Sequence, residues 1–292
     1  MSLWTDIEAD LTRCTGAAVR LSAPATVGGG CINQAYQVRS QNGTYFVKLN
    51  AAGGLEMFEA EAQGLQALGQ APGLRVPQPL CWGVSGANAY LVMEGLELGG
   101  SGDPAALGEG LAALHRISAD RFGWHRDNTI GSTPQVNRQA DDWQTFWREH
   151  RLGFQLQLAA RNGAGDALLD AGRQLQEALP MLLAGHTPAA SLLHGDLWSG
   201  NYSFTRAGEP AIFDPAVYYG DRETDIAMTE LFGGFATAFY SAYRSAWPLE
   251  EGYAVRKILY NLYHVLNHFN LFGGGYLSQA QRMLERLLSE VR

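Results

Sequence analysis

The first third of the chain changes its apolar spacing from helical to strand-like. Trp4, Ile7, Leu11 and Cys14 lie three or four positions apart, which predicts an amphipathic helix with Cys14 on its buried side. A second helical pattern covers 55–68. Around these helices we predict five short strands, at 19–27, 32–38, 45–49, 80–84 and 89–93. The pattern therefore predicts a small lobe made of an antiparallel sheet and helices.

The third predicted strand carries a lysine among apolar neighbours. Asn42-Gly43 is a strong hairpin signal just before this strand. Alternation then puts Lys48 on the face opposite to Tyr45, Val47 and Leu49. A lysine in this place is either an edge residue that extends its ammonium to water or a ligand for a negatively charged group.

Beyond residue 95 the pattern is mainly helical. We predict a glycine-rich linker over 94–102, after which Asp103-Pro104 begins a helix that ends near His115. The sequence therefore predicts an α+β protein with a small domain over 1–95 and a larger, mainly helical domain over 96–292.

The composition disfavours several classes of protein. The 292 residues carry a formal net charge of −8, which argues against a nucleic-acid surface. We find no run of about 18 apolar residues, so we expect no membrane span. The N-terminal residues lack a signal-peptide pattern, and the three cysteines form no metal motif or disulfide framework. These features favour a cytoplasmic location.

A group of polar residues follows the apolar pair Leu192-Leu193. His194, Asp196 and Asn201 have the His-x-Asp-x-x-x-x-Asn spacing of kinase-like catalytic loops, and Asp214 ends the next apolar run. Phosphoryl transfer needs one carboxylate at the nucleophilic hydroxyl, and an Asn and a second carboxylate that hold magnesium. A polar turn before a strand would explain His-x-Asp alone. Asn201 and Asp214 together favour a kinase.

Two features of the N-terminal part fit the same chemistry. Gly28, Gly29 and Gly30 would let backbone N–H groups approach phosphates, although glycine runs are also common in hairpins. Lys48 would pair with the phosphates and with a Glu on the next helix. Glu61 is our first choice for that partner and Glu59 our second.

Two features of the C-terminal part stay open between a structural and a functional interpretation. Asp225 is either the N-cap of a helix or an anchor for the catalytic loop. Asn261, His264 and His268 form a polar stripe on an apolar helix. The two histidines have zinc-ligand spacing, but no third ligand is evident. The stripe is therefore either buried core or the wall of a substrate cleft.

With these residues in place, the chain resembles the fructosamine kinase (ketosamine 3-kinase) family, which is related to the aminoglycoside phosphotransferases. Blocks that match the family run along nearly the whole chain, at 28–32, 57–61, 134–137, 193–201, 213–216, 219–223, 231–235, 239–243 and 266–268. The chain departs from protein kinases at Gly195, where they carry Arg. The resemblance implies a protein-kinase-like fold, with a small lobe that covers the nucleotide and a larger helical lobe.

The resemblance also implies the cofactors ATP and Mg²⁺ and a role for each residue of the catalytic set. Asp196 would accept the proton of a sugar hydroxyl. Asn201 and Asp214 would hold Mg²⁺. Lys48, itself held by Glu61, would bind the phosphates of ATP.

Further residues receive supporting roles from the same resemblance. The turn Gly28–Gly30 would cover the phosphates, and the backbone at Glu94 and Leu96 would bind adenine. Trp198 and His268 would contact the sugar. His194 and Asp225 would anchor the catalytic loop.

The implied activity is phosphorylation of the sugar O3 of ribulosamines, erythrulosamines or fructosamines, either as small molecules or on glycated protein lysines. The product would lose its sugar and free the amine. Two alternatives stay open: an aminoglycoside or choline-type kinase of the same fold, and a catalytically silent nucleotide-binding protein.

We expect a monomer in a reducing cytoplasm. Cys31, directly after the glycine run, is the thiol that we expect to be most open to oxidation, and the resemblance implies a Cys31-linked dimer as a redox switch. Cys14 and Cys81 are expected to be buried and inert.

Overall fold

The computed structural model describes residues 2–28 and 32–291. Within them, the α-helices are α1 Leu3–Thr15, α2 Leu55–Leu68, α3 Pro104–His115, α4 Trp143–Phe146, α5 Phe154–Arg161, α6 Asp166–Leu182, α7 Glu223–Leu231, α8 Thr237–Ala246, α9 Tyr253–Phe272 and α10 Tyr276–Ser289. The strands are β1 Ala25–Val27, β2 Gln34–Ser40, β3 Gly43–Ala51, β4 Pro79–Ser85, β5 Asn88–Glu94, β6 Ser118–Ala119, β7 Asn128–Ile130, β8 Thr133–Gln135, β9 Ala190–Leu193, β10 Tyr202–Phe204, β11 Pro210–Ile212 and β12 Tyr218–Gly220.

Two compact units divide the chain. The first comprises Met1–Asp103 and Tyr202–Pro215, and the second comprises Pro104–Asn201 and Ala216–Arg292. The first segment of the first unit ends at Asp103, whereas we predicted a boundary at residue 95, and the β10–β11 hairpin is a second segment of the same unit.

Backbone hydrogen bonds explain why the hairpin belongs to the first unit. The N–H of Arg75 donates to the carbonyl of Pro210 at 2.8 Å, and the N–H of Ile212 donates to the carbonyl of Arg75 at 3.0 Å. The N–H of Gly100 donates to the carbonyl of Phe204 at 3.1 Å. Pairing between segments so far apart in sequence leaves no trace in local apolar periodicity.

The main sheet of the first unit has the strand order β1-β2-β3-β5-β4, with every neighbouring pair antiparallel. Tyr45, Val47 and Leu49 of β3 are buried on one face, in a core with Ile7 and Leu11 of α1. Lys48 is not part of this core, as the alternation along β3 predicted, and its side chain contacts Glu61 of α2. The β2–β3 hairpin is also confirmed, with Ser40 paired to Gly43.

The three N-terminal helices begin and end close to the predicted residues, and local chemistry explains the ends of the first. The hydroxyl of Ser2 accepts a hydrogen bond from the N–H of Thr5, and Gly16 ends α1 with a φ of 71°. The prediction that Cys14 is buried is wrong: the burial of α1 stops at Leu11, and Cys14 is exposed. Cys81 in β4 is buried, as predicted.

The second unit is mainly helical, with small strands that the sequence pattern did not reveal. A three-stranded antiparallel sheet has the order β12-β9-β6, and its central strand β9 is buried along its whole length. Helices α4 and α5 are joined by a π-helical segment, Trp147–Gly153. In the part of the chain that the structure describes, every helix is too short or too polar to cross a membrane.

Candidate active site

Lys48 lies at the centre of a charged triad in the first unit. Its Nζ donates to Oε1 of Glu61 on α2 at 2.5 Å and to Oδ1 of Asp214 at 2.6 Å. The side chains of Lys48 and Glu61 are 8% and 11% exposed, whereas that of Asp214 is 50% exposed. The structure thus brings Glu61, our first choice over Glu59, against the lysine.

The electrostatics of this triad keep Lys48 charged. Burial by itself lowers the pKa of Lys48, but the carboxylates of Glu61 and Asp214 more than offset this effect and raise the pKa above its ordinary value. Burial raises the pKa of Glu61, and the charge of Lys48 counteracts only part of that rise. With all three groups ionised, one ammonium faces two carboxylates, so the triad can accept a further cation. Magnesium prefers carboxylate oxygens, and Asp214 is the member that reaches solvent.

The backbone of Asp214 is strained. Its φ of 56° is the one positive value at a non-glycine position among the described residues. Such a conformation costs about 1–3 kcal/mol and is concentrated at active sites and ligand clamps. Asp214 lies two residues beyond the end of the buried strand β11, so the strand positions this carboxylate. The strain is an independent indication that Asp214 is functional.

In the second unit, Asp196 and Asn201 lie in the loop that follows β9 and are hydrogen-bonded to each other. The Nδ2 of Asn201 donates to the carbonyl oxygen of Asp196 at 2.8 Å and to its Oδ2 at 3.4 Å. Asn201 is buried and Asp196 is half-buried. Of the two polar atoms of the Asn201 amide, the oxygen is the one that a hard cation prefers.

Two glycines shape the loop that carries Asp196. A Cβ at Gly195, where φ is 82°, would lie 2.0 Å from the carbonyl oxygen of Ala216. No side chain fits there, which explains the departure from the Arg of protein kinases. A Cβ at Gly200 would lie 2.3 Å from the ring of Trp198. The indole therefore covers Gly200, and Trp198 is 40% exposed.

Asp225 holds the same loop through hydrogen bonds to its backbone. It lies within the first turn of α7, whose N-cap is Arg222, so the N-cap interpretation does not fit. The carboxylate accepts hydrogen bonds from the backbone N–H groups of His194 at 2.7 Å and Gly195 at 2.9 Å. These two bonds tie the residues just before Asp196 to a buried helix.

The polar stripe of α9 divides into a buried and a half-buried part. Burial lowers the pKa of His264 to about 3, so this histidine is neutral. The Nδ1 of His268 bonds the carbonyl of His264 at 2.8 Å, which points the other ring nitrogen away from the helix axis. The ring of Phe232 lies 5.1 Å from that of His268. His264 is thus part of the core, and His268 is the member able to meet a ligand.

The segment proposed to bind adenine has one donor without a partner. The N–H of Glu94 donates to Gln78 at 2.8 Å, and the N–H of Gly95 donates to Thr44 at 2.9 Å. The N–H of Leu96 has no acceptor within the described ranges. Of the predicted phosphate-covering turn, Gly28 is exposed, whereas Gly29, Gly30 and Cys31 lie outside the described residues.

Sequence reasoning missed a buried arginine in the second unit. Arg151, in the π-helical segment, is fully buried and lies over the ring of Tyr218 at 4.0 Å. Its Nη2 donates to Oδ1 of Asn137 at 2.7 Å. Gln135, from the same block, donates to the carbonyl of Ala216 at 3.0 Å. The block 134–137, which matches the resembled family, was the sequence feature that could have pointed to this region. Its residues hold the backbone beside Gly195.

A second charged cluster was also missed. His186, Asp221 and Glu223 offer metal-ligand atoms within 4.8 Å of one another. However, both ring nitrogens of His186 are engaged, with Asp221 at 2.6 Å and Glu250 at 2.7 Å. Arg256 binds both carboxylate oxygens of Glu223. Protons and a guanidinium therefore occupy the places that a cation would take.

Comparison with known proteins gives one consistent family. The sequence profile described as fructosamine kinase matches residues 3–290. A Synechocystis protein, described as a probable ketoamine kinase, is 50% identical over 290 residues and covers 98% of this chain and 97% of its own. The chloroplastic protein-ribulosamine 3-kinase of Arabidopsis thaliana is 43% identical over 277 residues, which cover 94% of this chain and 85% of its own.

Solved structures establish the fold. A crystal structure from Haemophilus somnus 129PT, provisionally described as a fructosamine-3-kinase, has a TM-score of 0.89 and 32% identity, covering 98% of this chain and 97% of that one. An aminoglycoside phosphotransferase, APH(4)-Ia, solved with ADP and hygromycin B, has a TM-score of 0.62 and 17% identity, covering 97% and 98%. The predicted α+β protein-kinase-like fold is confirmed.

Proposed function

Because this chain belongs to the fructosamine kinase family and is a phosphotransferase, we propose that it transfers the γ-phosphoryl group of ATP to the O3 hydroxyl of a ketosamine, a sugar joined to an amine by glycation. The Lys48–Glu61–Asp214 triad is the observation that carries this proposal. It supplies the phosphate-binding lysine, the glutamate that holds it and a metal-binding aspartate.

ATP and Mg²⁺ fit the chemistry of the residues in the first unit. The N–H of Leu96 is a donor for the adenine edge, and Lys48 is a permanent cation for the phosphates. Asn201 and Asp214 are the proposed magnesium ligands, as the family resemblance implies. Bound magnesium would neutralise charge that develops on the phosphates.

Asp196 is the proposed catalytic base. In this step the O3 hydroxyl transfers its proton to the carboxylate of Asp196, and the oxygen forms a bond to the γ-phosphorus. The bond to the β-phosphate oxygen breaks, and ADP leaves with its electron pair. Asn201 fixes the carboxylate through its hydrogen bond to Oδ2, so the base is oriented before the substrate arrives.

The substrate class is proposed as ribulosamines, erythrulosamines or fructosamines. Relatives named as ketoamine and protein-ribulosamine kinases support it. The exposed indole of Trp198 would stack on the sugar-amine, and His268 would bond its hydroxyls. Loss of the phosphorylated sugar would then free the amine, so the activity would deglycate small molecules or protein lysines in the cytoplasm.

The experiment is a substrate panel with Mg-ATP and mass detection. Ribulosyl-lysine, and to a smaller extent fructosyl-lysine, should gain one phosphate, while kanamycin and choline stay unmodified. Phosphorylated kanamycin or choline without ketosamine turnover would favour the other small-molecule kinases. No transfer to any acceptor would favour a silent nucleotide-binding protein.

Regulation through Cys31 is a separate part of the proposal. In the resembled family this cysteine looks like a redox switch, and of the two described cysteines only Cys14 is exposed. A mild oxidant should convert the monomer into a Cys31-linked dimer, and thiol reductant should reverse the change. Non-reducing electrophoresis decides the point, with Cys31→Ser and Cys14→Ser as the matched pair. A dimer that persists in Cys31→Ser would exclude the switch.

A further inference from the structure

A buried chain of hydrogen bonds runs behind the loop that carries Asp196. Arg222 Nη1 lies 3.1 Å from the hydroxyl of Tyr243. That hydroxyl lies 2.7 Å from Nδ1 of His115, and Nε2 of His115 lies 3.1 Å from Oδ2 of Asp225. His115 is completely buried, and the other three residues are at most 5% exposed. This hydrogen-bond chain therefore joins helices α3, α7 and α8 in a part of the protein that is almost completely shielded from solvent.

For a neutral His115 ring, counting donors assigns a direction to every bond in this hydrogen-bond chain. A guanidinium can only donate, so the oxygen of Tyr243 accepts from Arg222. Burial raises the pKa of Tyr243 above its ordinary value, so the hydroxyl keeps its proton. Its proton points to Nδ1 of His115, the other polar atom at hydrogen-bond distance. Nδ1 is then an acceptor, and the ring carries its proton on Nε2, which donates to Asp225.

The last member of the chain is the carboxylate that holds the catalytic loop. Asp225 accepts from the backbone N–H groups of His194 and Gly195, next to Asp196. Burial by itself raises the pKa of Asp225, but the hydrogen bond from His115 and the loop contacts more than offset it and lower the pKa. An ionised Asp225 can accept all three bonds at once. A histidine with its proton on Nδ1 would instead turn a lone pair toward the carboxylate.

We propose that Tyr243 and His115 are positioning residues for phosphoryl transfer: Tyr243 sets the tautomer of His115, which orients Asp225 and thereby the backbone that presents Asp196. The role of Asp196 rests on the proposed function. The hydrogen-bond chain does not, because it is defined by the ground-state contacts alone. Both residues are buried behind the loop, so both act on the placement of the base.

The first experiment compares two tyrosines on α8. Tyr243→Phe should lower kcat roughly 10- to 100-fold, the range expected when a catalytic group is slightly misplaced. The KM for ATP should stay nearly unchanged, because the triad of the first unit is untouched. Tyr240→Phe is the matched control. The hydroxyl of Tyr240 donates to the carbonyl of Thr229 at 3.2 Å and is not part of the hydrogen-bond chain that ends at Asp225. Equal kcat values for the two variants would overturn the proposal.

A second experiment reads the tautomer and does not need a substrate. In ¹⁵N NMR of the whole protein, His115 should show a hydrogen-bonded, unprotonated Nδ1 and a protonated Nε2. That signature should change in Tyr243→Phe and not in Tyr240→Phe. A proton on Nδ1 in the wild type contradicts the proposal. If no ketosamine is phosphorylated but the signature is present, only the proposed function fails.

Rescue by a conservative variant separates positioning from simple packing. The amide of Gln presents one acceptor and one donor, about as far apart as the two ring nitrogens. His115→Gln should therefore keep much more of kcat than His115→Phe, which retains a ring but no hydrogen bond. Similar losses of kcat in the two variants, with both folded by circular dichroism, would refute the positioning role.

Discussion

Glu61 should make a measurable contribution to stability through Lys48. The change is Glu61→Gln, which keeps the size of the side chain and removes its charge. Glu61 and Lys48 are almost buried and 2.5 Å apart. A hydrogen bond to a charged group contributes about 1.5–3 kcal/mol. Orphaning a buried charge costs about 3–5 kcal/mol, but Asp214 still pairs with Lys48 in the variant. We therefore expect a loss of about 1.5–3 kcal/mol in the free energy of unfolding.

The assay is urea denaturation of the protein without nucleotide, with Glu59→Gln as the matched control on the same helix. That control should lose less than about 1 kcal/mol, the range for a half-exposed charge. Combining Glu61→Gln with Asp214→Asn should cost more than the sum of the two single changes, because only the double variant leaves Lys48 without a carboxylate. A loss for Glu61→Gln no larger than that of Glu59→Gln, or strict additivity, would refute the reasoning.

Three further predictions concern the site and its surroundings. Asp196→Asn should lower kcat roughly 10²–10⁴-fold while calorimetry shows unchanged Mg-ATP affinity; near-normal turnover would remove Asp196 as the base. Asp214→Ala should abolish magnesium-dependent ATP binding, and an unaltered affinity would show that magnesium is held elsewhere. Burial by itself lowers the pKa of His186, but Asp221 and Glu250 more than offset it and raise the pKa above 6.5. The contribution of protonated His186 to the free energy of unfolding is therefore complete below about pH 6.5 and is lost as the pH rises through the folded-state pKa. The difference in urea midpoint between wild type and His186→Gln should shrink toward alkaline pH, and a constant difference would contradict this.

The parts of the site that sequence pattern could predict are those with a local signal. Alternation along β3 placed Lys48 opposite the core, and the helical pattern over 55–68 placed both Glu61 and Glu59 on the next helix, with Glu61 as the first choice. Motif spacing picked out Asp196, Asn201 and Asp214. In each case the relevant neighbours are close in sequence or belong to a motif of fixed spacing, so periodicity and chemistry are sufficient.

The parts that escaped prediction depend on long-range packing. His115 is separated from its partners Asp225 and Tyr243 by more than a hundred residues, and it looks like an ordinary helix C-terminus in the sequence. The same holds for the β10–β11 hairpin, which belongs to the first unit although it lies about a hundred residues further along the chain. Cys14 was predicted wrongly for a different reason: its helical spacing was right, but the buried residues of α1 are Ile7 and Leu11, and Cys14 in the last turn is exposed.

Two contacts restrict the backbone just before Asp196. Asp225 holds the loop from one side, and the carbonyl of Ala216 excludes any side chain at Gly195 from the other. A base held by its backbone on both sides loses little entropy when the sugar hydroxyl arrives. Preorganisation of this kind is the physical basis that we propose for catalysis in this chain.

The central claim is that this chain phosphorylates the O3 hydroxyl of a ketosamine, and the position of the phosphate tests it most directly. Ribulosyl-lysine is incubated with Mg-ATP and either wild type or Asp196→Asn, and the product is followed by ³¹P NMR and mass spectrometry. We predict one phosphate, attached to O3, followed by the appearance of free lysine, with wild type only. Phosphate on another hydroxyl, or no transfer to ribulosyl-lysine under these conditions, would contradict the account.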